Sequence, residues 1–120
     1  MTSQRTVMIA LGGNALSPKT EAGTITQQFV HTKKSLRGVM HFVREGYNIC
    51  ITHGNGPQVG NLLMRNDAGY QIYGIPQMPL DICVAESQGD IGFMIERMLR
   101  NILKEKTSLK SIFLFLRDIL

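Results

Sequence analysis

Apolar residues in this chain fall into two kinds of run. Short, nearly continuous blocks stand at 6–11 (TVMIAL), 47–52 (YNICIT) and 111–116 (SIFLFL). Blocks of that length fit strands buried on both faces of a parallel sheet. Between them the apolar positions recur at helical spacing. Thr24-Ile25-Thr26-Gln27 has the spacing of a capping box, and Phe29, Leu36, Val39, Met40 and Val43 continue from it as one helix that Gly46 stops. Pro57 suits a first helical turn, where its missing N–H is no loss, and a short second helix is expected over 59–66. Residues 67–78, with Gly69, Gly74 and Pro76, read as a loop packed on the surface.

From Pro79 onward, Leu80, Val84, Ile91, Met94, Ile95, Met98, Leu99 and Ile102 share one stripe with charges opposite. This predicts a long helix of about seven turns. Gly89 and Gly92 interrupt it at about 1 kcal/mol each relative to alanine, so they are expected to mark close approach of another backbone or a bend. Cys83 lies on its apolar side and is expected in the core, whereas Asp81, Glu86 and Asp90 are expected to be exposed or capping. Alternating strand and helix predicts the α/β class, a parallel sheet with helices on both faces.

In such sheets ligands bind beyond the carboxyl ends of the strands, where the loops to the helices begin. Two glycine clusters fall there: Gly12-Gly13-Asn14 and Gly54-Asn55-Gly56. Glycine at a strand-to-helix turn tolerates positive φ and lets backbone N–H groups converge on an anion, with a helix N-terminus adding partial positive charge. Asn14 and Asn55 add uncharged amides able to donate to a phosphoryl oxygen or accept from an amide. The chemistry implied is anion binding, with phosphate the natural ligand. Neither loop is a P-loop or a Gly-x-Gly-x-x-Gly dinucleotide fingerprint, and neither brings positive charge of its own.

Composition narrows the field further. The chain has 120 residues, is 43% hydrophobic and 18% charged, and carries a formal charge of +4, as expected of a globular domain. Its basic residues are dispersed along helix faces without interleaved aromatics, which favours a solvated surface over a nucleic-acid groove. The longest apolar runs, 7–11 and 112–116, are far short of the roughly 20 residues of a membrane-spanning helix, and no secretory leader is visible. Cys50 and Cys83 have no Cys-x-x-Cys spacing, and His31, His41 and His53 do not supply one of the usual ligand sets, so no metal site is expected and a reducing cytoplasm is the expected compartment.

The residues also carry a resemblance. Residues 10–16 (ALGGNAL), 52–61 (THGNGPQVGN) and 77–83 (QMPLDIC), followed by Ser87-Gln88-Gly89 and Ile91-Gly92, resemble in order and spacing the amino-terminal part of carbamate kinase, a member of the amino-acid kinase fold family. The likeness spans roughly residues 5 to 106. Ala10 stands where the wider fold family carries a lysine, and carbamate kinases also lack one there. The resemblance implies a three-layer αβα fold, incomplete in this chain, and reversible phosphoryl transfer between ATP and carbamate, usually run from carbamoyl phosphate and ADP. It implies that Gly12, Gly13 and Asn14 hold the transferring phosphoryl group, while Gly54 and Asn55, with Gly56 beside them, orient carbamate or carbamoyl phosphate. It also implies ATP or ADP with Mg2+, and a homodimer for which the long helix is a candidate contact.

In that family the charge-neutralising lysines and the nucleotide site lie downstream, so no catalytic residue is assigned within these 120 positions. Residues 1–106 are therefore expected to form the carbamate-side part of a kinase domain. Residues 107–120 depart from the family's valine- and threonine-rich strand and are expected to be a divergent tail from a frameshift or truncation. A non-catalytic binder of a small anion such as carbamoyl phosphate is the alternative.

Overall fold

Alternation sets the first strand. Along Thr6–Leu11 (β1) Val7, Ile9 and Leu11 turn inward while Thr6, Met8 and Ala10 are exposed. The computed structural model describes residues 5–106. After β1 come α1 (Gly13–Leu16), α2 (Ile25–Leu36), α3 (Val39–Arg44), β2 (Asn48–His53), α4 (Gly56–Tyr73) and α5 (Leu80–Lys106). β1 and β2 pair in parallel, from Thr6 opposite Asn48 to Leu11 opposite His53. A parallel pair needs a long crossover, and α1 to α3 supply it.

The expected α/β class with a parallel sheet is therefore present, but burial on both faces is not. Among the described residues the helices cover one face only, and Met8, on the other, is 69% exposed. The apolar runs of both strands satisfy a core on one side. Leu11, Leu16, Leu36, Val39, Met40, Ile91, Ile95, Ile102 and Leu103 make that core, with Ile9, Ile49 and Ile51 of the sheet packed against it. The strand expected at 111–116 lies outside the described residues, as does the divergent tail.

The Thr24 capping box forms as expected, its hydroxyl accepting from the Gln27 amide while the Gln27 side chain accepts from the Thr24 amide. The single helix expected through Val43 is instead two. Arg37 donates to the Lys34 carbonyl and Met40 to the Arg37 carbonyl, i to i−3 bonds that tighten the backbone around Gly38. Leu36, Val39 and Met40 are all buried across that break, so the apolar spacing runs through it unchanged. α1 was not expected at all; its four residues close a single turn through the bond from Ser17 to the Gly13 carbonyl.

α4 also exceeds its expected length, reaching Tyr73 through what the glycines suggested was a loop. Gly74 ends it in the left-handed conformation (φ +66) and donates to the Tyr70 carbonyl, with Pro76 following. Asn66 ties the return segment down: it accepts from the Met78 amide at 3.2 Å and donates toward Cys83 Sγ at 3.3 Å. α5 follows its predicted stripe from Cys83 onward, with Cys83, Ile91 and Met94 essentially inaccessible, but Leu80 at its start is exposed. Asp81, Glu86 and Asp90 are exposed, as expected. Gly89 marks no close approach, because a Cβ there would meet nothing within 4 Å; Gly92 is buried.

α5 meets α2 through the Lys33–Glu105 ion pair at 3.0 Å and Arg97 lying 5.2 Å over the Phe29 ring. Both are partly exposed and contribute little beside the apolar core.

Candidate functional site

Because Leu11 and His53 are paired, β1 and β2 end at the same level and their loops leave the sheet side by side. The Gly54 amide donates to the Leu11 carbonyl at 2.8 Å, stitching the second loop to the end of the first strand. A Cβ on Gly54 would sit 3.1 Å from the Gly13 nitrogen. A Cβ on Gly13 would sit 3.1 Å from Pro57 Cδ and 3.3 Å from both the Asn55 nitrogen and Gln58 Oε1. Gly13 and Gly54 are the crowded positions, whereas a Cβ on Gly12 or Gly56 would meet nothing within 4 Å. Positive φ is found only at Gly23, Gly46 and Gly74 among the described glycines, so the expectation that these loops exploit left-handed backbone is corrected.

The arrangement brings together all six residues singled out from the sequence: Gly12, Gly13, Asn14, Gly54, Asn55 and Gly56. Asn14 and Gly56 line a cleft of about 500 Å³, with Ser17, Lys19, Glu21, Pro57 and Asn61 among the other lining residues. α4 begins at this cleft, and its first-turn amides have no acceptor within the helix. Its N-cap, Asn55, does not cap it with its side chain. The Asn55 Nδ2 instead donates to Ser87 Oγ at 3.0 Å, and Ser87 Oγ donates to the Val84 carbonyl at 2.6 Å.

Several site residues were not singled out by pattern. Ser87, fully buried on α5, stood in a motif without a role. Gln58 is 6% exposed, and neither polar atom of its carboxamide has a partner among the described residues; its place directly after Pro57 in the first turn of α4 was the available signal. Lys19 lines the cleft and is a basic residue beside loops that carry no charge; its place in a polar loop gives no periodic cue. Glu21 is engaged with His31 Nε2 at 3.0 Å. Among the described residues no group of three or more His, Cys, Asp or Glu side chains is gathered for a metal ion, and no helix is long and apolar enough to cross a membrane.

No family model matches the chain. Carbamate kinases from Pyrococcus horikoshii and Pyrococcus furiosus are 45% and 46% identical to it over 100 residues, which is 83% of this chain and 32% of each of theirs. The chain is a relative of the carbamate kinases. A carbamate kinase from Giardia lamblia bound to AMP-PNP superimposes with a TM-score of 0.79 at 35% identity, covering 89% of this chain and 34% of that one. The chain thus spans about a third of the length of the carbamate kinases it matches, and over that third it shares their fold.

Proposed function

We propose that the two-loop cleft is the carbamate-side half of a carbamate kinase site, serving phosphoryl transfer between carbamoyl phosphate and ADP to give carbamate and ATP. The observation that carries this reading is the contact of the loops. The Gly13 nitrogen lies where a Gly54 Cβ would be only 3.1 Å away, so the backbone of Gly12, Gly13 and Asn14 faces the uncapped start of α4 at close range. Phosphoryl transfer asks for positioning and charge neutralisation more than covalent help. Gly12, Gly13 and Asn14 would hold the phosphoryl oxygens, Gly54, Asn55 and Gly56 would orient the carbamoyl end, and Lys19 would offset charge at the cleft wall. The homologous Giardia lamblia enzyme was solved with AMP-PNP, which supports ATP or ADP as the second ligand of the full reaction. Mg2+ finds no gathered set of His, Cys, Asp or Glu donors among the described residues.

Titration of the ¹⁵N-labelled chain with carbamoyl phosphate tests the reading. Amide shifts are expected at Gly12 to Asn14 and at Gly54 to Gly56, and shifts confined to other residues would refute it. The cleft is lined from within this chain, which favours a second reading, a non-catalytic module that binds a small anion. Absence of ATP formation from ADP and carbamoyl phosphate, with binding intact, selects that reading. A homodimer is also proposed. Tyr70, Ile72, Tyr73, Ile75 and Leu80, each more than half exposed, line the end of α4 and the approach to α5 as an apolar face, and light scattering at tens of micromolar tests it.

A further inference from the structure

One side chain on the cleft wall has the wrong charge for an anionic ligand. Glu21 lines the cleft together with Lys19, and a carboxylate beside a phosphoryl group repels it. The loop that carries both is held from α2. The Glu21 amide donates to the Pro18 carbonyl at 3.2 Å, closing a turn with Lys19 and Thr20 at its tip. Gln28 Nε2 donates to the Gly23 carbonyl at 2.8 Å, and His31 Nε2 meets Glu21 Oε2 at 3.0 Å. Gln28 and His31 stand at i and i+3, hence on one face of the helix, and they grip the loop at two points. The His31 and Glu21 side chains are 22% and 35% exposed, so solvent and salt screen this pair less than a fully exposed one. Lys19 makes no ion pair among the described residues.

We propose that His31 is the counter-charge of Glu21 and that the protonation of its ring sets the affinity of the cleft for anions. The proposal rests on the reading of the cleft as a phosphoryl site and adds its regulation. With the ring protonated the pair is neutral, and Lys19 is the net charge of the wall. With the ring neutral, the Nε2–H tautomer still donates to Glu21, so the loop stays held while the pair becomes an anion that offsets Lys19. Histidine changes charge between about pH 5 and 8, and anion binding should weaken across that range. The other charged groups packed around α2 are placed elsewhere. α1 has no titratable side chain, and α3 carries His41 and Arg44 beyond the break at Gly38. On α5, Glu105 pairs with Lys33 of α2, Glu96 pairs with Arg100, Arg97 lies over Phe29, and Asp90 and Lys104 are exposed, as is Lys34 on α2 itself.

Sulfate is the probe, because it is a tetrahedral dianion throughout this range and its own charge does not change. Titrated by calorimetry against the whole chain, it is expected to bind about three- to tenfold more weakly at about pH 8 than at about pH 5.5, the scale of one charge altered beside a dianion in a solvated cleft. Glu21→Gln should abolish that pH dependence. His31→Gln, which can still donate to Glu21 but is neutral throughout, should bind at both pH values as weakly as the parent chain does at the higher one. A change below twofold in the parent chain, or a pH dependence that survives Glu21→Gln, overturns the proposal and leaves the phosphoryl site standing. Failure of sulfate alone to bind at either pH also overturns the proposal, and failure of carbamoyl phosphate as well overturns both readings. By linkage, a bound anion must favour the protonated ring in turn. Saturating sulfate should therefore move the ring titration of His31, followed by NMR, to higher pH, and a titration that does not move overturns the proposal.

Discussion

Adding one methyl group at Gly54 tests the geometry of the cleft. The new Cβ would meet the Gly13 nitrogen at 3.1 Å and the Gly12 carbonyl carbon and Cα at 3.9 Å, all backbone atoms with no rotamer to yield. The neighbouring loop must move by a few tenths of an ångström. It is held by the bond from Gly54 to the Leu11 carbonyl and by the Ala15 bond to the Gly12 carbonyl. Overpacking of this kind costs about 1 to 3 kcal/mol, and Gly54→Ala is expected to lose that much unfolding free energy in urea titration. Gly12→Ala is the control. Gly12 has φ −68 and ψ 144, and a Cβ there meets nothing within 4 Å. Alanine should fit without steric strain and change stability by less than about 1 kcal/mol, its restriction of the unfolded chain offset by its poorer fit at the N-cap of α1. The reasoning fails if Gly54→Ala is as stable as the parent, or if the two substitutions cost the same. Phosphate affinity read in parallel should fall for Gly54→Ala, because separating the loops separates the amides.

Gln58→Met removes a buried carboxamide whose two polar atoms lack partners and keeps its length, so it is expected to raise the melting temperature, each orphaned group costing about 1 to 3 kcal/mol; a lowered melting temperature would show that the carboxamide is paired in solution. Thr24→Ala removes the hydroxyl that accepts from the Gln27 amide, leaving only the bond from the residue-24 backbone N–H to Gln27 Oε1, and is expected to cost about 0.5 to 2 kcal/mol in chemical denaturation. Gly74→Ala forces a side chain into φ +66 and should cost about 1 to 2 kcal/mol, with faster hydrogen exchange at the last turn of α4. An unchanged exchange rate there would count against Gly74 as the residue that ends the helix.

The parts of the fold that were readable in the sequence are those where local chemistry and packing demand the same residues. The capping box at Thr24, the runs of β1 and β2 and the stripe of α5 from Cys83 to Ile102 are such places. The break at Gly38 was hidden because Leu36, Val39 and Met40 stay buried on both sides of it. The second half of α4 was hidden for the opposite reason: Met64, Tyr70 and Tyr73 are exposed, so no stripe marks it, and only the pairing of Gly74 with Pro76 signals its end. In the site, glycine clusters at strand ends announced the two loops. Ser87 was silent because its role depends on a contact 32 residues away in sequence, with Asn55. Lys19 was silent because a lysine in a polar loop has no partner by which spacing can identify it.

One-sided burial of the sheet gives the molecule two chemically distinct thiols. Cys50 faces outward on β2 and is exposed, while Cys83 is sealed between α4 and the core of α5. A thiol reagent added to the native chain should therefore titrate one equivalent promptly and the second only at the rate of opening. The prompt equivalent becomes a footprint of the bare face: any layer that settles over Met8 and Cys50, whether from the same polypeptide or another, announces itself as a slowed first reaction while the second keeps its pace.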